Sequence, residues 1–174
     1  MTGSINIDLD GKFASWAGAL LAHDRPIVFI GVPGSQQEAA MSLGRSGFDN
    51  VTGYLSDGMM ALAKSPELVG RLERITALTV HEQLREGSSP CVLDVRAPGE
   101  REQSCIPESL HIPLPQLLHR LDDLPRDRPV IVNCAGGYHS AVASSLLILH
   151  GFERVMDLVG GISAWEAAGL PTSA

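Results

Sequence analysis

One cysteine stands where a buried strand is predicted to end and a helix to begin. The apolar run "RPVIVN" leads into Cys134, and the small or turn-forming residues 135–138 follow it. A run of helix formers then starts near His139 or Ser140. In open sheets of parallel strands, ligands bind beyond the carboxyl ends of the strands. Cys134 is therefore predicted to lie where a ligand would bind.

The residues after Cys134 favour a reactive sulfur. Gly136 and Gly137 permit positive φ and leave room for a ligand, and several backbone N–H groups can face one point. The N-terminus of the following helix adds a partial positive charge. Such surroundings lower the pKa of a thiol and bind anions. We predict that Cys134 is a nucleophile, although a free cysteine that closes a strand can also be a simple core residue.

The other cysteines carry weaker signals. Cys91 lies inside an apolar run and is predicted to be a core residue, whereas Cys105 could be a buried or a redox-active thiol. Three cysteines are an odd count without metal-ligand spacing, and neither HExxH nor CxxC occurs. We therefore predict no metal and no other cofactor. Free thiols are typical of a reducing compartment, so we expect a cytoplasmic protein.

Composition excludes several classes of protein. The chain has 174 residues, of which 44% are hydrophobic and 19% charged, as in a globular protein of one domain or two small ones. A formal net charge of −7 disfavours binding to nucleic acid or to an acidic membrane. The sequence has neither an apolar run long enough for a transmembrane helix nor the pattern of a signal peptide.

An internal repeat divides the chain. "DRPIVFIGVPGS" from Asp24 corresponds to "DRPVIVNCAGGY" from Asp127, an offset of 103, and "SGFDNV" from Ser46 corresponds to "HGFERV" from His150, an offset of 104. Shorter matches, such as "SINIDL" with "SLHIPL", keep the same order. We predict a truncated unit over residues 1–72, with Gly31 in place of the cysteine, and a complete unit over residues 75–174.

The second unit alternates predicted strands and helices. A helix is predicted from an N-cap at Thr79, with Glu82 in capping-box position, to Gly87. The later strands are predicted in "PCVLDVR", "LHIPL", "RPVIVNC" and "RVMDLVGG", and the later helices in "LPQLLHRLDDL", "SAVASSLLILHGF" and "ISAWEAAGL". This alternation predicts an α/β fold of three layers, in which helices cover a parallel sheet.

Four motifs carry a family resemblance: "LDVRAPGE", "CIPESLHIPL", "CAGGYHS" and "GGISAWEAAGLP". With them the second unit resembles a rhodanese (sulfurtransferase) domain from Ile75 to Pro171. The resemblance implies that Cys134 takes sulfane sulfur as a persulfide from a donor such as thiosulfate or a small persulfide. Cyanide or a thiol would then accept the sulfur. The resemblance also implies an active loop whose substrate-binding residues are Ala135, Gly136, Gly137, Tyr138, His139 and Ser140.

The first unit resembles the cysteine-free copy in proteins that join a metallo-β-lactamase-like persulfide-oxidising domain to two rhodanese-like domains. The sheet order implied by the resemblance is third, second, fourth, fifth and first strand. "SINIDL", "RPIVFI" and "NVTGYL" would be strands three, four and five, and strands one and two would be missing. We therefore expect "SINIDL" to pair directly with "RPIVFI", or the open edge to form a homodimer.

Several residues depart from the family pattern or have two interpretations. His139 stands where the loop often has Arg, Cys105 where His is usual, and Arg101 where an aromatic residue is usual. A histidine is largely neutral at pH 7, so it would bind anionic donors more weakly than Arg. Asp94 and Arg96 are predicted to support the site. They could touch substrate, but bracing of loops, with Arg96 pairing Glu100, is the favoured interpretation.

The sequence leaves two other functions open. A rhodanese-like fold can be a non-catalytic binding or regulatory module, which suits the cysteine-free first unit. Related folds are also cysteine phosphatases or arsenate reductases, whose loop needs a cysteine, five residues and then Arg. The sixth residue after Cys134 is Ser140, so this loop is one residue short and lacks the arginine that clamps phosphate.

Overall fold

The computed structural model describes residues 1–87 and 90–173. These residues form two compact units. The first contains residues 1–2 and 7–70, and the second contains residues 3–6 and the chain from residue 71 onward. Across the described residues, no helix combines the length and the apolar character that a membrane span requires.

The first unit is built on two parallel strands. Its elements are α1 (Phe13–Leu20), β1 (Ile27–Phe29), α2 (Gln36–Arg45) and β2 (Val51–Tyr54), followed by the 3₁₀ helices Gly58–Lys64 and Pro66–Leu68. β1 pairs with β2 from Ile27↔Val51 to Phe29↔Tyr54. The core of this unit is an apolar cluster of side chains from the two helices and the loop after α2, namely Phe13, Ala17, Leu43 and Phe48.

The prediction of a strand over residues 4–9 is wrong. The structure has no strand there, and among the described residues β1 pairs with β2 alone. Ile7 and Leu9 instead pack, partly buried, against the cluster around Phe13. Burial of these side chains against helices removes apolar surface from water without any strand pairing. The predicted direct pairing of "SINIDL" with "RPIVFI" is therefore wrong as well.

The second unit is a five-stranded parallel sheet. Its elements are β3 (Glu73–Ile75), α3 (Ala77–Arg85), β4 (Cys91–Asp94), α4 (Pro98–Arg101), β5 (Leu110–His111), β6 (Val130–Asn133), α5 (Tyr138–Leu149), β7 (Val155–Leu158) and α6 (Gly161–Ala167). The strand order is β3-β7-β6-β4-β5, and every pairing is parallel. This confirms the predicted α/β class with a parallel sheet. Read from the β5 edge, it is also the strand order expected from the resemblance.

Helices cover both faces of this sheet. β4 and β6 are buried at every residue, as their continuous apolar runs predict. On one face, side chains of α3 and α6, such as Val80 and Trp165, pack with Val92 and Ile131 of the sheet. α5 packs on β6 and β7. The carboxyl ends of β4 and β6 lie side by side, with Asp94 opposite Asn133.

Local predictions around the sheet need two corrections. Thr79 is not the N-cap of α3, because Thr76 occupies that position and its Oγ1 accepts the Thr79 N–H at 3.3 Å. "LPQLLHRLDDL" forms two 3₁₀ helices, Leu114–His119 and Leu121–Asp123, rather than one regular helix. Pro113, directly before this stretch, and Pro115, within it, have no N–H group to donate to a helix.

Candidate active site

Cys134 lies at the base of a loop between β6 and α5. It follows the last residue of β6 directly, and its side chain is 1% exposed. The Gly137 N–H donates to Cys134 Sγ at 3.0 Å. A backbone donor stabilises negative charge on sulfur more than it stabilises the neutral thiol, so this contact favours the thiolate.

The loop reaches the helix through one left-handed residue. Gly137 has a φ of 114° and is the N-cap of α5, which begins at Tyr138, just before the predicted start near His139 or Ser140. Gly136 does not adopt a positive φ. Ala135 and Gly136 are exposed, whereas Gly137 is half-buried. The N-terminus of a twelve-residue helix therefore begins beside the sulfur, where its partial positive charge favours an anion.

The first turn of α6 holds the loop in place through backbone hydrogen bonds. The Ile162 N–H donates to the Cys134 carbonyl at 2.8 Å, and the Ser163 N–H donates to the Ala135 carbonyl at 3.3 Å. The preceding Gly161 has a φ of 57°, and a Cβ atom built on it would lie 2.2 Å from the Cys134 carbonyl oxygen. Only glycine allows the two segments to approach this closely.

We expect Gly161→Ala to displace the loop and to reduce the reactivity of Cys134. A Cβ at 2.2 Å from a backbone oxygen forces movement of either α6 or the loop. Gly169→Ala is the matched control, because Gly169 also has a positive φ, 66°, but a Cβ atom added to it would meet no described atom within 4 Å. The control should lose only the stability that a non-glycine residue costs in a left-handed backbone conformation, about 1–2 kcal/mol. Chemical denaturation and the rate at which a thiol reagent modifies Cys134 measure both effects. Equal losses in the two variants would show that the close approach of Gly161 does not hold the loop.

Ser140 lies beneath the sulfur and not at the mouth of the loop. Its side chain is fully buried, and its Oγ accepts a hydrogen bond from the Cys134 thiol at 3.4 Å. Asp157 of β7 interacts with this hydroxyl. Burial raises the pKa of the Asp157 carboxyl above its ordinary value, opposed by hydrogen bonding to Ser140 and by the charge of Arg74. Neither Asp157 nor Arg74 was predicted as a site residue.

Tyr138 and His139, predicted as loop residues, are the first two residues of α5. Both side chains are half-buried, and their rings meet edge to face with centroids 5.3 Å apart. All six residues predicted to bind substrate are thus contiguous around Cys134. Ala135, Gly136, Tyr138 and His139 face outward to different degrees, whereas Ser140 faces the core.

Asp94 and Arg96 form a buried ion pair that braces the neighbouring loop. Their side chains are 0% and 4% exposed, and Arg96 Nη2 lies 2.6 Å from Asp94 Oδ2. Arg96 also donates to the Ser104 and Glu100 carbonyls, at 2.7 and 3.3 Å. The predicted partner is therefore wrong in one respect, because the ion pair is with Asp94 and the contact with Glu100 is to its backbone. The Glu100 carboxylate accepts the Ala97 N–H instead.

Arg101 joins this cluster and was not predicted to do so. Its Nη1 lies 3.6 Å from Asp94 Oδ2, and its guanidinium donates to the hydroxyl and carbonyl of Ser109 at 2.7 and 2.8 Å. Asp94 thus accepts hydrogen bonds from Arg96 and forms a second, longer ion pair with Arg101. The only sequence signal was that Arg101 replaces the usual aromatic residue.

The two remaining cysteines are buried away from solvent. Cys105 is 5% exposed and pairs with Ser173 through two backbone hydrogen bonds of 2.7 and 2.9 Å. Cys91 lies in β4, and burial raises the pKa of its thiol despite the opposing charge of Arg128. Within residues 1–87 and 90–173, no group of three or more His, Cys, Asp or Glu side chains is arranged to hold a metal ion.

Comparison with known proteins places this site in a family. Residues 76–168 match the rhodanese-like domain family. A sulfurtransferase of Allochromatium vinosum is 33% identical over 100 residues, which are 58% of this chain and 94% of that protein. The thiosulfate sulfurtransferase GlpE of Pseudoalteromonas translucida is 33% identical over 86 residues, 49% of this chain and 82% of that protein. A solved rhodanese-related protein of Thermoplasma volcanium is 34% identical, with a TM-score of 0.54 over 58% of this chain and 97% of that one.

Proposed function

The chain belongs to the rhodanese-like domain family, and we propose that its second unit is a sulfurtransferase that works through a persulfide on Cys134. The observation that carries this proposal is the position of Cys134 Sγ, which accepts the Gly137 N–H at the N-terminus of α5. The names of the relatives from Allochromatium vinosum and Pseudoalteromonas translucida support the class of reaction.

The proposed reaction has two balanced steps. The Cys134 thiolate attacks the outer sulfur of a donor such as thiosulfate; an S–S bond forms to Sγ, and the donor's own S–S bond breaks. Its electron pair leaves with sulfite. Cyanide or a thiolate then attacks the terminal sulfur of the persulfide and releases Cys134 as a thiolate. A small persulfide can replace thiosulfate as the donor. The Gly137 N–H and the start of α5 stabilise the anionic sulfur in both resting forms.

Mass spectrometry of the full chain after incubation with thiosulfate tests the proposal. We expect the peptide that contains Cys134 to gain the mass of one sulfur atom and to lose it when cyanide is added. The peptides of Cys91 and Cys105 are internal controls, since both thiols are buried outside the loop. A sulfur adduct on Cys105 instead of Cys134, or none on any cysteine, would contradict it.

His139→Arg should lower KM for thiosulfate by about fivefold, the effect of roughly 1 kcal/mol from a partly exposed charge pair. An arginine is cationic at every working pH, and His139 is half-buried in the loop. His119→Arg makes the same chemical change at an exposed position outside the loop and should leave KM unchanged. An unchanged or higher KM in His139→Arg would mean that residue 139 does not contact the donor or that the donor is not an anion.

A non-catalytic binding or regulatory module is the second candidate. The near-complete burial of Cys134 Sγ favours it, because a donor must reach a side chain that is only 1% exposed. The two candidates differ in a measurable way: a binding module would show no persulfide on Cys134 with any donor. A phosphatase loop fits less well, since Ser140 and not an arginine stands six residues after the cysteine.

We also propose that residues 1–72 are a partial and inactive copy of the same fold. Equivalent backbone hydrogen bonds support this. The Ile27 N–H donates to the Asn50 carbonyl at 2.9 Å, and the Val130 N–H donates to the Arg154 carbonyl at 2.8 Å. The sequence offsets are 103 and 104, as in the repeat.

The loop of the first unit repeats the close approach seen under Cys134. Gly58 has a φ of 54°, and a Cβ built on it would lie 2.2 Å from the Gly31 carbonyl oxygen. This matches the 2.2 Å from Gly161 to the carbonyl of Cys134. Gly31 stands in the cysteine position, so the copy has no nucleophile. From the sequence resemblance, we propose that the two units correspond to the tandem region of the metallo-β-lactamase-linked proteins.

The partial copy is our candidate for a homodimer contact. β1 has one unpaired edge among the described residues, and Val28 and Tyr54 are 62% and 54% exposed on its small sheet. Exposed apolar strand edges pair readily with other chains. We expect Val28→Lys to shift sedimentation toward monomer, whereas Met41→Lys, on α2 with 53% exposure, should not. A wild-type chain that sediments as a monomer at every concentration would rule the contact out.

A further inference from the structure

A buried polar path leads away from Cys134 on the side opposite the loop mouth. The Cys134 thiol donates to Ser140 Oγ at 3.4 Å, and both side chains are at most 1% exposed. Beyond Ser140 lies Asp157, 4% exposed, whose carboxyl interacts with the Ser140 hydroxyl. Three groups that can exchange a proton thus come from the loop, α5 and β7.

Asp157 is an incompletely paired carboxyl. Among the described residues, its Oδ1 has no partner of normal hydrogen-bond geometry, and its Oδ2 lies 3.5 Å from Arg74 Nε. Arg74 is 62% exposed, so solvent weakens its attraction. The groups that face Asp157 are Arg74 from β3, the neutral Ser140 from α5 and Val132, its register partner on β6. Burial therefore penalises the charge of this carboxylate, and its pKa is raised.

We propose that Asp157 is a positioning residue that takes up the proton of Cys134 through the Ser140 hydroxyl. This inference rests on the proposed function. In the transfer the S–H bond of Cys134 breaks as its proton passes to Ser140 Oγ, and the proton of Ser140 passes to an Asp157 oxygen. The products are a thiolate, an intact serine and a carboxylic acid. No electron is exchanged, and the transfer reverses when the acceptor has taken the sulfur.

The transfer moves negative charge from a carboxylate that its surroundings stabilise weakly to a thiolate that its surroundings stabilise more strongly. A carboxylate on Asp157 is buried and incompletely paired. A thiolate on Cys134 accepts the Gly137 N–H and lies at the N-terminus of α5. The net charge of the pair does not change, so the transfer adds no further buried charge. Ser140 can also donate to the thiolate afterwards.

NMR titration of the full chain tests the coupling without any sulfur chemistry. The probes are the Cβ carbon of Cys134 and the carboxyl carbon of Asp157. We expect both to titrate with the same two inflections, because coupled groups share macroscopic pKa values. In Ser140→Ala each should show one inflection of its own. Ser144→Ala is the matched control: it removes another fully buried hydroxyl from α5, one without a hydrogen-bond partner among the described residues, and should keep both inflections.

The rate of persulfide formation supplies the second readout. Asp157→Asn should lower this rate on the acidic side of the pH profile by about tenfold, the effect of one pKa unit, and less at high pH. Arg74→Gln, an exposed change that spares the fold, should move the lower NMR inflection to higher pH. Independent single inflections in the wild-type chain would overturn the relay while leaving the persulfide proposal intact. Coupled inflections in a chain that forms no persulfide would leave the relay intact and overturn the persulfide proposal.

Discussion

Cys134→Ala should abolish sulfur transfer, with a loss of about a thousandfold or more, as expected when a covalent nucleophile is removed. Without Sγ there is no atom to which the sulfane sulfur can bind. The variant should still fold, because alanine fits the space of a buried residue that ends a strand. Steady-state transfer from thiosulfate to cyanide measures the loss. Undiminished turnover would remove the proposed mechanism altogether.

Cys91→Ala is the matched control for this experiment. It removes a buried thiol from β4, and burial raises the pKa of that thiol, so it stays protonated and is a poor nucleophile. We expect a loss of stability of about 1 kcal/mol and full retention of sulfur transfer. Loss of activity in this variant without unfolding would show that the two cysteines are not chemically distinct.

Asp94→Ala should destabilise the second unit by about 3–5 kcal/mol, because it leaves the guanidinium of Arg96 buried without its partner. Arg96 is 4% exposed, so water cannot replace the carboxylate. The loop after β4 loses its brace at the same time, since Arg96 also holds the Ser104 carbonyl. Urea unfolding followed by circular dichroism measures the free energy of unfolding.

The chain offers a surface pair for comparison. Arg120 and Asp123 lie 2.7 Å apart with side chains 40% and 47% exposed. Exposed pairs contribute about 0–1 kcal/mol, so Asp123→Ala should scarcely change the unfolding midpoint. If Asp94→Ala costs no more than Asp123→Ala, the buried pair does not support the loop.

Sequence patterns predicted the centre of the sheet better than its edges. β4 and β6 are buried on both faces, and such strands must be continuous apolar runs, which are visible in a single sequence. β3 was missed because it has three residues, of which Glu73 and Arg74 are polar and exposed. An edge strand has fewer neighbours, so its sequence is less constrained. The prediction of a strand over residues 4–9 was wrong because an alternating apolar pattern does not require strand pairing. Its apolar side chains Ile7 and Leu9 pack on the cluster around Phe13 instead.

The loop around Cys134 could be predicted because its parts are contiguous. A strand end, a glycine pair and a helix start appear together in "NCAGGYHS". Asp157 and Arg101 could not be found in the same way, since they reach the site from β7 and α4. The local sequence gives no signal for Asp157, and for Arg101 it gives only the replacement of the usual aromatic residue. The order of the strands brings β7, with Asp157, beside the strand that leads to Cys134. The wrong partner predicted for Arg96 has a different origin, because Asp94 and Glu100 both lie close to Arg96 in the sequence.

The position of β3 has a consequence for how the second unit folds. β3 is the first strand of this unit along the chain, yet it pairs with β7, the last strand, so that Arg74 lies opposite Asp157. Pairings β4–β6 and β6–β7 close shorter loops and should form earlier, since loop-closure entropy rises with chain length. We expect the β3 edge to join late and to open first in native-state hydrogen exchange. Arg74 would arrive with it, so the electrostatic surroundings of Asp157 would be complete only after the last step of folding.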